Sequence, residues 1–291
     1  MPTAPLPENP TEVPDLPAGI GGTDPQAPAA YTPADVAAAK ELLTGADDSE
    51  PQLVTALTDE QLAGLDGYAR PQFVALPWLE EHREQQAFAA GVALRTLIAA
   101  EQVLVAVDPE TGARSWRAAP DLAACLVLRR TAAVFTTAER TVPTDSGQQV
   151  HRLHIYAHSS GVLEEEVTAS GIHRFTALGP QLAAERLAAF VDPLQAPAAQ
   201  TQSAQVPAAQ LAAHPLAQCL ASARALTVLT RVTTADGAVQ QLSTYATPEG
   251  LMSVEAIDPA AADPMLEIRT LTPADLRALT TVLTASGTPD A

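Results

Sequence analysis

Two segments of this sequence repeat one pattern of residues. Residues 156–167 are YAHSSGVLEEEV and residues 245–256 are YATPEGLMSVEA, with the same spacing from Tyr to Gly. Each segment is followed by a Pro, Pro180 or Pro273, that opens an amphipathic run. The repetition predicts that a unit of roughly sixty residues is duplicated, which constrains the fold more than any other feature of the chain.

Each copy is predicted to contain four strands and a closing helix (ββββα). The alternation of Leu153, Ile155 and Ala157 predicts a strand with one buried face. Gly161 and Gly250 are expected at positive φ in the turns that follow the repeated Tyr. One copy alone would expose an apolar sheet face, so we expect the two copies to pack about a pseudo-two-fold axis into one α+β core.

Composition divides the chain into six segments. The Pro-rich residues 1–30 are predicted to be a disordered tail, and residues 192–217, rich in Ala, Pro and Gln, to be a linker. The remaining segments are predicted as a short helix and linker (31–57), a helical segment with a β-hairpin (58–120), the first repeat (121–191) and the second repeat (218–285).

The N-terminal third carries clear start signals for helices. Thr32 followed by Pro33 predicts a helix to about Leu43, and Thr58 with Gln61 forms a capping-box pattern. The longest predicted helix runs over 79–100. After it, residues 103–107 and 113–118, joined by a turn with Asp-Pro and Gly, predict a β-hairpin.

The charge balance limits which partners the chain can bind. There are 34 acidic and 16 basic residues, a net charge of −18, which disfavours phosphate backbones and anionic membranes. No stretch approaches the roughly twenty apolar residues of a membrane span, and no basic residue precedes Lys40, so no secretory signal is expected. The predicted location is cytoplasmic, with Cys125 and Cys219 as reduced, structural thiols.

A histidine-rich stretch is the best candidate for chemistry. His154, His158 and His173 lie near Glu164, Glu165 and Glu166, and imidazole with carboxylate ligands is a combination that zinc sites use. This is the alternative hypothesis of a metal-binding protein or enzyme. Scattered imidazoles, with the glutamates keeping an exposed strand face soluble or blocking edge pairing, are the simpler interpretation.

A second alternative is a winged-helix-like regulator, because the 79–100 helix leads into a hairpin. Its helix would carry Glu80, Glu81, Glu84 and Glu101, which repel phosphates. Ser159-Ser160-Gly161 is a turn, since a nucleophile elbow needs Gly two residues before and after the Ser. The sequence therefore predicts a protein that is not an enzyme, with no catalytic, cofactor-binding or metal residues and no cofactor.

The second repeat also resembles a known family. Leu226 to Val232 with the Asp236-Gly237 turn, then Tyr245 to Ala256 and the helix 273–283 are similar to the EspG family, secretion-associated proteins of the ESX (type VII) systems of actinobacteria. The first repeat and residues 94–105 are compatible, giving a resemblance over about 60–285. The Pro-rich tail, the helix at 32–43 and the absence of the family's usual N-terminal segment depart from the pattern.

The resemblance implies a cytosolic chaperone that binds helical secretion substrates, with no catalytic site and no cofactor. No functional residue is carried over from the family. The functional hypothesis is a non-enzymatic protein-binding module with a protein partner and no nucleic-acid or membrane partner. Such a module is expected to expose an apolar groove or patch larger than single scattered side chains. The oligomeric state is left open by the sequence.

Overall fold

The computed structural model describes residues 31–72, 74–107, 112, 114–196 and 202–287. The predicted tail (1–30) and most of the predicted hairpin turn (108–111) lie outside these residues. The helices are α1 (Pro33–Gly45), α2 (Asp59–Asp66), α3 (Pro77–Glu81), α4 (Gln86–Ala99), α5 (Pro120–Thr131), α6 (Pro180–Val191), α7 (Leu216–Ala221) and α8 (Pro273–Thr284). The strands are β1 (Gln52–Thr58), β2 (Val103–Val107), β3 (Arg114–Ala118), β4 (Val134–Thr144), β5 (Gly147–His158), β6 (Gly161–Val167), β7 (Ile172–Leu178), β8 (Ser203–Pro207), β9 (Ala225–Thr233), β10 (Val239–Thr247), β11 (Gly250–Ala256) and β12 (Met265–Leu271).

Ten of these strands form one antiparallel sheet. Their order is β1-β7-β6-β5-β4-β9-β10-β11-β12-β8, while β2 and β3 form a separate two-stranded sheet. The predicted α+β class is confirmed, and so is the predicted hairpin of β2 and β3. Each predicted repeat occupies one half of the large sheet, β4 to β7 with α6 and β9 to β12 with α8.

The two halves meet at strands β4 and β9, which pair antiparallel. Ala138 and Leu229 face each other in this pairing. Within their own halves they occupy matching places, because Ala138 faces Leu153 and Leu229 faces Leu242, each three residues before the repeated Tyr. A local two-fold axis through the Ala138–Leu229 pair therefore relates the central hairpins. Common origin by duplication stays a prediction.

The sheet has two differently covered faces. Its back face, which carries Leu153, Ile155 and Leu229, packs on α6 and α8 in one continuous core. Its front face carries Tyr156 and Phe175 under α1, α2, α4 and α5 in the first half, and a smaller cluster under α7 in the second half. The closing helices are where the sequence predicts them. Strand β5 is buried on both faces from Leu153 to Ala157, and not on one face as predicted, because helices cover the front face as well as the back.

Three helices begin with the same device. Thr32, Thr58 and Thr272 each accept a hydrogen bond from the backbone N–H of the residue three positions on, whose side chain accepts one from the backbone of the Thr. These capping boxes satisfy amides that have no partner within the helix. The predicted starts of α1 and α2 are thereby confirmed.

The predicted 79–100 helix is not continuous. It ends at Glu81, passes through a 3₁₀ turn and resumes as α4 at Gln86. Nδ1 of His82 lies 2.7 Å from the carbonyl oxygen of Trp78, and the two rings stack at 4.1 Å. The His82 side chain thus competes with the backbone at this point, which breaks the helix.

Three segments contain regular structure that the sequence does not predict. The end of the 31–57 segment forms β1, which pairs with β7. The predicted 192–217 linker contains β8 and a 3₁₀ turn, whereas the helix α7 at its end lies within residues 208–222, whose apolar composition indicates the start of a helix. The first predicted repeat begins with a helix, α5, and not with a strand. The strands were missed because their backbone groups are satisfied by an existing sheet edge, which a local pattern does not reveal.

We predict that Gly161→Ala lowers the free energy of unfolding by about 2 kcal/mol. Gly161 has a φ of 153°, and a Cβ there would lie 3.1 Å from the carbonyl oxygen of Leu43. Gly237 has a φ of 68° and open space around it, so Gly237→Ala should cost about 1 kcal/mol from backbone strain alone. Urea unfolding of both variants compares them, and equal losses would contradict the steric part of the argument.

Candidate functional site

A buried set of charged side chains lies between the front face of the first half and the helices that cover it. His173 on β7 sits between two carboxylates, with Nδ1 2.6 Å from Oε1 of Glu165 and Nε2 2.7 Å from Oδ1 of Asp59. All three side chains are inaccessible to solvent. Carboxylate oxygens only accept hydrogen bonds when ionised, so this arrangement favours a doubly protonated, cationic ring.

Arg129 extends this set across α5. Its Nε donates to Oε2 of Glu165 at 3.0 Å, and its Nη1 lies 3.8 Å from Asp66. Arg130 pairs with the same Asp66, and the hydroxyl of Tyr156 donates to Glu165 at 2.5 Å. The three carboxylates thus face two guanidinium groups and one imidazolium, a balance that burial requires.

These side chains bind both ends of α2 to neighbouring elements of the first half. Asp59 at its start also accepts hydrogen bonds from the backbone N–H groups of Trp78 (2.7 Å) and Leu79 (3.1 Å) at the start of α3. Asp66 at its end is held by α5. We call Asp59, Asp66, Arg129, Arg130, Glu165 and His173 the buried charge network. Its side chains form hydrogen bonds and ion pairs with one another and with the backbone, so we assign the network a structural role.

The pKa values in the network follow from the balance of burial and charge. Burial alone would raise the pKa of Glu165, but the charge of Arg129 and the hydrogen bond with His173 outweigh it and hold this pKa well below its usual range. Burial alone would lower the pKa of His173, but hydrogen bonds to Asp59 and Glu165 outweigh it and raise that pKa. Both shifts stabilise the charged forms.

The structure does not bring the predicted metal-site histidines together. His154 lies under Phe135, with ring centroids 5.8 Å apart, and neither ring nitrogen has a hydrogen-bond partner in the described chain. The Nε2 of His158 lies 3.0 Å from the carbonyl oxygen of Leu128. Both nitrogens of His173 are engaged in the network. Over the residues that the structure describes, no three His, Cys, Asp or Glu side chains are arranged to hold a metal ion.

The glutamate run does not lie on an exposed face. Glu165 belongs to the network on the front face, and Glu164 is buried on the back face against Arg186 of α6, with Nη2 of the Arg 2.6 Å from Oε1. Only Glu166 is exposed. Since β6 lies between β5 and β7, the run does not block an edge either. The interpretation from sequence is wrong for Glu164 and Glu165, because their partners come from distant segments.

The front face between the two halves is open to solvent. Along β9, each side chain on the back face from Ala225 to Arg231 is buried, whereas each one on the front face is only half-buried. Strand β4 shows the same division from Val134 to Ala138. We call the half-buried front-face side chains of these two strands the central groove; they are Phe135, Thr137, Thr141, Leu226, Val228, Thr230 and Val232.

Helices border the central groove on both sides. Helix α5 packs on β5 and β6 of the first half, and α7 packs on β10 of the second half. The rings of Phe135 and Tyr156 stack at 5.1 Å beside α5, and half-buried Tyr245 lies beside α7. The groove therefore has a β-sheet floor and two helical walls. The sequence predicts an exposed apolar groove but not its location, because the location depends on how the two halves meet.

Two other expectations concern single features of the chain. Cys125 is buried and Cys219 is half-buried, and both are free thiols. Burial raises the pKa of the Cys125 thiol, which keeps it protonated. None of the helices within the described ranges is both long and apolar enough to cross a membrane.

Comparisons with known proteins find similarity to solved structures and none to known sequences. Neither a protein-family model nor a curated protein matches the sequence. Among solved structures, the fold is similar to the type VII secretion system chaperone EspG5 of Mycobacterium tuberculosis, solved in complex with a PE25–PPE41 dimer. The similarity covers 86% of this chain and 92% of that chain, with a TM-score of 0.46 and 10% sequence identity. EspG5 carries the name of the family that the sequence resembles.

Removing one charge from the buried network should destabilise the fold strongly. We predict that Glu165→Gln lowers the free energy of unfolding by about 3–5 kcal/mol, because it leaves three buried cations of the network facing only two carboxylates. The neighbouring Glu166→Gln, on the exposed side of the same strand, should change it by less than about 0.5 kcal/mol. Chemical denaturation measures both, and a small loss for Glu165→Gln would contradict the assigned role.

The neutral His154 should make the protein sensitive to acid. Burial lowers its pKa to about 4, whereas the unfolded chain binds this proton near pH 6.5. Stability from His154 is therefore present above about pH 6.5 and lost as the pH falls towards 4. Replacing it by Leu should improve stability relative to wild type by about 2 kcal/mol more at pH 5 than at pH 7.5.

Urea unfolding at the two pH values measures this difference. The stability that His173 contributes should depend on pH in the opposite direction. Its raised pKa gives stability that is present below about pH 6.5 and lost as the pH rises through the folded value. His173→Gln should therefore lose less stability at high pH than at low pH. An unchanged difference between wild type and His154→Leu at the two pH values would show that the ring is not buried neutral.

Proposed function

We propose that the chain is a non-enzymatic protein-binding module whose central groove receives a helix of its partner. The observation that carries this proposal is the division of β4 and β9 into a buried back face and a half-buried front face. An apolar sheet face left open between helices is the kind of surface that a partner covers. An amphipathic helix in a groove is a recurring mode of recognition.

The width of the groove supports a helical occupant. From β5, which α5 contacts, to β10, which α7 contacts, there are three strand spacings across β4 and β9. At about 4.8 Å each, they span roughly 14 Å. A helix with its side chains is about 10–12 Å in diameter, and α5 and α7 lie over the outer strands of this span, so the floor has room for one helix at most.

The chemistry of the floor favours a helix face of apolar and small polar residues. The floor offers Phe, Leu and Val side chains interspersed with the hydroxyls of Thr137 and Thr230. The charges on this face of β4 and β5 are Glu139 and Arg152, which lie 3.5 Å apart and offset each other. A strongly charged helix face would lose its hydration here without gaining counter-charges.

We infer that the partner is a helical secretion substrate and that the chain acts as its cytosolic chaperone in a type VII system. This finer assignment rests on the resemblance of the second repeat to the EspG family. The residues that carry the resemblance include those of β9, which lies on the groove floor. The acidic surface, with a net charge of −18, would keep such a chaperone soluble and away from nucleic acid and anionic membranes. The role needs no cofactor.

Affinity capture from the native cytosol with the full chain as bait, followed by mass spectrometry, tests this proposal. We expect one small helical, secretion-linked protein or pair to be retained stoichiometrically. With that partner purified, Val228→Arg should weaken binding at least about tenfold, since it replaces an apolar contact on the groove floor by a long charged side chain. Val282→Arg, at an exposed position of α8 behind the sheet, is the matched control.

The thermal midpoints of both variants should stay close to that of wild type, since neither side chain is fully buried. Unchanged binding by Val228→Arg would exclude the groove as the site. A bait that retains no protein would count against the module itself.

A further inference from the structure

Helix α4 exposes an apolar surface away from the groove. Its inner side packs into the first core through Ala90, Leu94 and Leu97. On its outer side, Phe88 is 76% exposed and Val92 is 46% exposed. Phe88 is therefore a large aromatic side chain in water with no cover in the described chain, which is an unusual place for a Phe.

A glycine on the same side gives this surface its shape. Gly91 follows Phe88 by three residues, and a Cβ built on it meets no atom within 4 Å. Neither packing nor a positive φ requires Gly here, yet Gly in a helix costs stability relative to Ala. A helical Gly beside an exposed Phe forms a knob next to a shallow hole, which permits another helix to approach closely.

Two side chains of opposite charge lie at the ends of this apolar surface, which we call the stripe. Phe88, Gly91 and Arg95 follow one another at spacings of three and four residues, so they lie along one side of α4. Glu84 precedes Phe88 by four residues and lies in the 3₁₀ turn that leads into α4. Glu84 and Arg95 are both exposed, and neither forms an ion pair within the described residues. The acid is at the N-terminal end and the base at the C-terminal end, equally far from the middle of the stripe.

This order is complementary to itself when two copies run antiparallel. About a two-fold axis midway between Phe88 and Gly91, the Phe of each copy meets the Gly of the other. The same axis sets Glu84 of each copy opposite Arg95 of the other. An isologous contact needs such a match of one patch with itself, whereas an unrelated partner would not require the charges to be placed symmetrically.

We propose that this stripe of α4 is a self-association surface, through which two copies of the chain pair antiparallel. The contact does not use the central groove, so each copy keeps its groove free and the proposal stands independently of the proposed function. Because each chain carries a net charge of −18, the copies repel one another over distances longer than the contact. Added salt of about 0.15 M shortens that repulsion to roughly 8 Å.

Analytical ultracentrifugation of the full chain at this salt concentration tests the proposal. We expect a monomer–dimer equilibrium with a dissociation constant on the order of 10–100 μM, typical of a small contact. Glu84→Arg and Arg95→Glu should each weaken it about tenfold, because each places two like-charged pairs across the axis. The double variant Glu84→Arg/Arg95→Glu should restore it to within about threefold of wild type.

Gly91→Ala separates the contact from the stability of the helix. It should raise the thermal midpoint of the monomer, because Ala favours a helix, and at the same time weaken dimerisation by filling the hole. Phe88→Glu should abolish the dimer, whereas Val36→Glu, at an exposed position of α1, should leave it intact. A chain that stays monomeric to roughly 1 mM, or a double variant no better than its single parents, would overturn the proposal.

Discussion

The buried charge network decides how the N-terminal third of the chain joins the sheet. Helix α2 packs Leu62, Ala63 and Leu65 into the first core. It is also held at Asp59 by β7 and at Asp66 by α5. Glu165 lies at the centre, bonded to a strand neighbour, a helix and a tyrosine. A buried network of this kind adds little net stability. Any other placement of these elements would leave buried charges unpaired, so the network fixes one arrangement of them.

From that arrangement the open groove follows. The network holds α5 over β5 and β6, which leaves β4 and β9 uncovered by any described residue between α5 and α7. Among the described residues of the second half, the corresponding face is covered by the short α7 and a 3₁₀ turn. The two halves thus share one backbone plan on the back face and differ on the front face, where the proposed partner would bind.

Local sequence signals predict the elements well and their surroundings poorly. The capping boxes at Thr32 and Thr58 and the alternation in β5 depend on neighbouring residues, so a local pattern is sufficient to predict them. Glu165 is inward because Arg129 and Asp59 lie far away in the chain and close in space, which no local pattern contains. The same holds for β1 and β8, whose partners are strands of the repeats, and for the groove, which exists only once β4 and β9 have paired.

The ends of the sheet come from outside the repeated units, and this has a consequence for aggregation. An exposed, regular edge strand is a template on which further chains can add. Strand β1 shifts register between Leu53 and Thr55, and β8 ends at Pro207, which has no N–H to donate. Two short, irregular strands thus border the ten-stranded sheet, so its edges are poor templates for further chains although part of its front face is apolar and open.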